Sequence, residues 1–148
     1  MIIAFCGLAG SGKDAAADAL VERRGFCKIS LADPLKRICQ DVFGWSQERL
    51  YGPSEKRNEP DPEWGGLTAR HALQALGTDW GRRMHPDVWV RRCLRDAIVA
   101  QMANPRADGV VIPDCRFTNE VAAIRAAGGK VVRIVRSGAG LDGAAGAH

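Results

Sequence analysis

The stretch FCGLAGSGKDAAADAL, residues 5–20, places Gly7, Gly12 and Lys13 in the spacing G-x-x-x-x-G-K, with a further glycine at Gly10. Ahead of it, MIIAFC (1–6) is a short apolar run rich in β-formers and ended by Gly7, the pattern of a buried parallel strand. Behind it, an Ala-rich helix is expected from Gly12 to about Arg24, with Ala16, Ala19 and Leu20 at helical spacing and Gly25 as the stop. A strand, a glycine-rich turn and a helix in this order make a phosphate cradle. Glycines let main-chain N–H groups curl round oxygens without side-chain clash, and the helix aims its positive end at the same charge. Lys13 would then reach the β- and γ-phosphates of a nucleotide.

Asp14 stands where a hydroxyl usually follows the loop lysine. A carboxylate is a hard oxygen ligand suited to Mg²⁺, directly or through its waters. Complementing the helix dipole in the first turn would explain it equally well. Asp114, at the end of VVIPD, has two readings as well: a carboxylate beside Mg²⁺, which is favoured, or an N-cap for the helix that follows. Pro113 suggests that strand hydrogen bonding stops there.

Outward from the loop, strand and helix patterns alternate. FCKISL (26–31) reads as a second strand, and ADPLKRICQDVFG (32–44) as a helix with Asp33 at its N-cap and Pro34 at the first position. Residues 45–66 combine prolines, glycines and charges with little periodicity, as in a mobile lid, a binding insertion or a disordered segment. LTARHALQALG (67–77) returns to helical periodicity behind a possible Thr68 cap. Residues 85–103 form a longer helix with Val88, Cys93, Leu94, Ala97, Ile98 and Met102 as core candidates. GVVIPD (109–114), FTNEVAAIRAAG (117–128) and KVVRIV (130–135) complete a strand, helix, strand series, and a small-residue tail, 137–148, is expected to be flexible. The fold class is therefore α/β, with a parallel sheet of about four strands covered by helices on both faces.

The 148 residues suit one domain, 1–136, and no apolar run is long enough for a membrane span. Five cysteines without C-x-x-C spacing argue against a disulfide framework or zinc site and for a reducing, cytoplasmic setting. The net charge of +4 is dispersed, with no basic tract and no aromatic–basic interleaving, which counts against nucleic acid as a partner. His71, His85 and His148 lack metal-ligand spacing. Lys13, Lys36, Arg70, Arg82 and Arg116 lie at element ends, where the carboxyl edge of a parallel sheet could collect cations round a phosphoryl group. Arg91, Arg92 and Arg95 read as the solvated face of a helix.

Taken together, GLAGSGKDAAADAL, LADPLK, LQALGTDWGR, DVWV and DCRFTNE resemble, in order and over residues 1–136, the deoxynucleoside monophosphate kinases of bacteriophages, a branch of the P-loop kinases. The resemblance implies a three-layer α/β/α P-loop fold and ATP-dependent phosphorylation of a deoxynucleoside 5′-monophosphate. It implies that Gly10, Ser11, Gly12, Lys13, Asp14 and Ala15 hold the ATP phosphates, with Mg²⁺ at Asp14 and Asp114. Lys13, Asp114 and Arg116 would act on the transferred group, and Leu35, Lys36, Arg70, Gly77, Thr78, Asp79, Arg82, Trp89 and Glu120 on the substrate. For Trp89, plain core packing is an equal alternative; Trp45, Trp64 and Trp80 could stack on a base but read more readily as structural. An Asp after the loop lysine resembles a family habit, whereas Ala15 replaces the family's usual hydroxyl. That family continues past the fourth strand, so its C-terminal edge strand is expected to be missing here. A homodimer is left open, and a silent nucleotide binder or a kinase for another phosphoryl acceptor stand as alternatives.

Overall fold

The computed structural model describes residues 1–139, and most of the expected flexible tail, 140–148, lies outside them. The chain divides into two units, Met1–Leu31 with the residues from Val90 onward, and Ala32–Trp89.

The first unit holds a four-stranded parallel sheet of β1 (Ile2–Cys6), β2 (Cys27–Lys28), β5 (Val110–Ile112) and β6 (Lys130–Arg133), in the order β2-β5-β1-β6. The two central strands, β1 and β5, are short and apolar, whereas the edge strands β2 and β6 carry Lys28, Lys130 and Arg133 and are largely exposed. Helix α1 (Lys13–Arg24) sends Ala17 against Phe5, Phe26 and Val111. Register pairs Ile2 with Val110 and Ala4 with Ile112, so strand alternation turns this set to the other face. There Ile124 of α7 (Thr118–Ala126) comes close to Ile2, since a Cβ on Gly129 would lie within 3.3 Å of both side chains. β5 ends at Ile112, immediately before Pro113, and β6 lies at one edge of the sheet.

Helix α6 (Val88–Ala103) starts three residues later than expected and buries Val90, Cys93 and Ala97. Ile98 and Met102, expected in the core, are 58% and 76% exposed. They stand roughly 140° and 180° round the helix from Cys93, off its buried stripe. Among the described residues no helix is long and apolar enough to cross a membrane.

In the second unit, α2 (Asp33–Phe43) has Ala32 rather than Asp33 at its N-cap, with Asp33 in the first turn and Gly44 closing it in the left-handed conformation. The segment without visible periodicity folds into α3 (Gln47–Tyr51), α4 (Ser54–Asn58) and an antiparallel pair, β3 (Pro60–Asp61) and β4 (Leu67–Thr68), joined through a 3₁₀ turn, Pro62–Trp64. Its anchors are Trp45 and Leu50, buried with Cys39, Ala69 and Ala72. The Trp45 indole donates to Asp61 at 2.6 Å and stacks on Phe43 at 4.5 Å. Phe43 also meets Trp64 edge-on at 5.1 Å. Thr68 caps α5 (Ala69–Gln74), accepting from the His71 amide at 3.2 Å. The helix does not stop at Gly77; it passes into a π-helical stretch, Ala75–Arg82.

Leu50 is fully buried, so removing its side chain opens a cavity beneath α3. Leu50→Ala is expected to lower stability by about 2–5 kcal/mol in urea unfolding. A loss below about 0.5 kcal/mol would mean that residues 45–66 do not pack as described.

Candidate functional site

The loop between β1 and α1 is shaped by three glycines with positive φ, Gly7 (144°), Gly10 (73°) and Gly12 (95°). At Gly7 the cause is close approach as well as conformation. β6 continues pairing with β1 through the Ile134 amide on the Cys6 carbonyl at 2.8 Å, and a Cβ on Gly7 would overlap the Ile134 carbonyl oxygen. Around Gly10 and Gly12 there is space, so only the backbone conformation demands glycine.

Gly12 is the N-cap of α1 and offers no side chain to the first turn. The opening amides of a helix are orphans until an anion, water or side chain meets them, and the helix dipole adds positive potential there. Ser11 Oγ, in a residue only 5% exposed, has no hydrogen-bond partner among the described residues. Buried hydroxyls are normally paired. An uncapped helix start, a glycine-shaped turn and an orphan hydroxyl together fit a phosphate chain.

Lys13 Nζ donates to the Gly7 carbonyl at 2.8 Å and the Leu8 carbonyl at 2.7 Å, closing the loop on itself. An ammonium has three hydrogens, so one is left over from these two bonds. Burial, and next the positive charge of Arg116, hold the Lys13 pKa below the usual lysine value; Asp14, Cys6 and Asp114 work in the opposite direction. Asp114 and Arg116 thus both lie within electrostatic reach of Lys13.

Asp14 is exposed in the first turn of α1, with Lys28 Nζ at 3.5 Å; Lys28 also bonds Asp18 at 2.8 Å. Ala15 is exposed and contributes no hydroxyl. Asp114 does not cap α7, whose N-cap is Phe117. Its carboxylate instead accepts from Ser30 Oγ at 2.5 Å and from the Leu31 amide at 2.9 Å, tying the end of β5 to the residues after β2. Arg116 is exposed, whereas Glu120 is 4% exposed and accepts from the Arg116 and Phe117 amides. Cys115 is fully buried. Burial first, then the negative charge of Glu120, pushes its thiol up to about 12, which keeps it protonated and unreactive.

The other expected residues lie in the second unit. Leu35, Gly77 and Trp89 pack as a group: Trp89 Nε1 donates to the Gly77 carbonyl at 2.8 Å, and a Cβ on Gly77 would come within 3.2 Å of Leu35. Gly81 lies against the Trp89 ring so closely that any Cβ would overlap it. Gly77, Thr78, Asp79 and Arg82 all fall on the π-helical stretch, a geometry found frequently at functional sites. Thr78 and Asp79 are exposed on it, and Arg82 approaches the Pro86 carbonyl at 3.4 Å. Lys36 sits over the Tyr51 ring at 4.3 Å. Arg70 is held at 2.5 Å by Asn58 and at 2.5 Å by Ser54.

Sequence reasoning missed Ser30, Tyr51, Ser54 and Asn58, the partners that hold Asp114, Lys36 and Arg70. Each pairing joins separate elements or turns, so no local spacing announces it.

The sequence model of a family described as "Deoxynucleotide monophosphate kinase" matches residues 57–143, more than half of the chain. A "Putative deoxynucleotide monophosphate kinase" of Acanthamoeba polyphaga mimivirus is 39% identical over 153 residues, covering 96% of this chain and 77% of that protein. Two proteins of Ictalurid herpesvirus 1 (strain Auburn), described only as uncharacterized ORF77 and ORF76, are 34% and 31% identical over 90% and 96% of this chain, which spans about half of each. With a four-stranded parallel sheet and a glycine loop opening onto a helix already in place, these matches settle its kinship: the chain belongs to the deoxynucleotide monophosphate kinase family of P-loop kinases.

Proposed function

We propose that the protein transfers the γ-phosphoryl group of ATP to the phosphate of a deoxynucleoside 5′-monophosphate, yielding the diphosphate and ADP. An oxygen of the acceptor phosphate attacks the γ-phosphorus while the bond to the β-phosphate oxygen breaks, so one P–O bond replaces another and the total charge is unchanged. The observation that carries the reading is the uncapped start of α1 behind a glycine turn, with Lys13 folded over its carbonyls. The relative's name and the family support the substrate class.

In this scheme the first-turn amides and the Ser11 hydroxyl bond phosphate oxygens, and Lys13 adds its remaining hydrogen. The Arg116 guanidinium, exposed beyond β5, spreads positive charge over the transferred group and can grip it bidentately. No protein nucleophile is needed, because the acceptor phosphate serves as one. Asp14, exposed at the loop, and Asp114, at the end of β5, are the carboxylates that would hold Mg²⁺ or its waters. Bound there, the ion would neutralise phosphate charge. Lys36, Arg70 and Arg82 are the cations of Ala32–Trp89 assigned to the acceptor nucleotide.

Wild type should release ADP only when ATP and a suitable deoxynucleoside monophosphate are both present. Lys13→Ala is expected to lose at least about 100-fold in kcat. Tight ATP binding without acceptor-dependent turnover would favour a silent binder instead, a reading motivated by the hydroxyl that Ala15 lacks. If Asp14 holds the metal, Asp14→Ala raises the Mg²⁺ concentration for half-maximal rate, whereas an unchanged requirement leaves Asp14 to the helix dipole alone.

The pH profile offers a separate check. Since the Lys13 pKa is lowered, kcat/KM for ATP should fall on the alkaline side before the ordinary lysine value of 10.5 is reached. A profile flat to that value would contradict a role for the Lys13 charge in capturing ATP.

A further inference from the structure

Glu120 is the third residue of α7, at 4% exposure. Its Oε2 accepts two hydrogen bonds, from the Arg116 amide at 2.8 Å and the Phe117 amide at 3.0 Å. Phe117, at the N-cap, has no side-chain oxygen for the first-turn amides, so only the returning half of a capping box is formed: the carboxylate at the third position bonds the amide of the N-cap itself and that of the residue before it. The same turn is pinned at its other residues. Cys115 donates its amide to the Phe5 carbonyl of β1 at 3.2 Å, and Asp114 accepts from Ser30 and Leu31. The peptide that carries Arg116 is fixed by Glu120, while the Arg116 side chain stays exposed.

A carboxylate and a phosphate are both acceptors, so Glu120 cannot bond phosphate oxygens directly, and at 4% exposure it is withdrawn from the donors of a sugar or base as well. We propose that Glu120 is a positioning residue: its buried carboxylate fixes the backbone of Arg116, directing the guanidinium from the end of β5, and it does not touch the substrate. This departs from the substrate contact that family resemblance implies, and it rests on the phosphoryl-transfer reading above.

The test is a double-mutant cycle on the full chain, with kcat and KM measured for ATP and the monophosphate and folding checked by thermal melts. Glu120→Gln keeps an oxygen that can accept both amides, so its kcat should stay within about threefold of wild type. Glu120→Ala should lower kcat about tenfold or more, with both KM values within about twofold. Introduced into Arg116→Ala, the same change should cost less than about twofold further, because the group it positions is gone. Three results would overturn the proposal: Glu120→Gln as slow as Glu120→Ala, losses that multiply in the double variant, or wild-type kcat in Glu120→Ala. If Glu120→Ala does not fold, Glu120→Asp, whose shorter stem withdraws the carboxylate, takes its place in the cycle with the same expected outcomes. Wild type without acceptor-dependent turnover overturns both readings, whereas active wild type with an indifferent Glu120 variant overturns this one alone.

Discussion

The first turn of α1 begins with no side-chain cap, and the glycine turn ahead of it is built around that open start. The opening peptide N–H groups, Gly12 to Ala15, gathered at the positive end of a 12-residue helix have no intrahelical partner and are well matched to an anion. Three positive-φ glycines aim the turn, and one of them, Gly7, tolerates no side chain because the Ile134 carbonyl lies where a Cβ would be. β6 therefore has a role beyond completing the sheet. By continuing its pairing with β1 through Ile134, it lies against the first residue of the loop and leaves room there for glycine alone.

Across the sheet, the end of β5 performs the complementary task. Pro113 follows the last strand residue, and each of the next four residues is held by at least one hydrogen bond. Asp114 uses its carboxylate, Cys115 its amide, and Arg116 and Phe117 share Glu120. So many bonds on so short a turn leave little freedom for the groups it presents. In the second unit the order comes from aromatic packing. Trp45, Phe43 and Trp64 fasten a chain whose elements are only two to five residues long, too short to stand without such anchors.

Much of this was legible before any coordinates. Gly7, Gly10 and Gly12 announce the loop because only glycine enters its conformations cheaply, and Lys13 follows at the one spacing that makes such a turn useful. The four strands of the parallel sheet were legible as short runs, although β2 keeps only Cys27–Lys28 of 26–31 and β6 only Lys130–Arg133 of 130–135, and Thr68 was legible as a cap. What stayed hidden depends on partners remote in sequence. The π-helical stretch Ala75–Arg82 is met by Trp89, which bonds the Gly77 carbonyl and packs against Gly81, contacts that no local pattern records. Ile98 and Met102 look like core by composition, yet the stripe through Val90, Cys93 and Ala97 leaves them outside. Residues 45–66 concealed their structure because Trp45 and Leu50 are too few to show a period. Glu120 was visible as a charged residue in a motif, but its commitment to two amides appears only once burial is known.

Amide hydrogen exchange along residues 8–15, measured with and without ADP and Mg²⁺, tests the central claim most directly. If phosphates are held by the main chain at the start of α1, exchange at Gly12, Lys13, Asp14 and Ala15 slows markedly when nucleotide is added, while the outer face of α6 is unaffected. Nucleotide that binds, yet leaves those four amides exchanging at their original rates, would contradict the account.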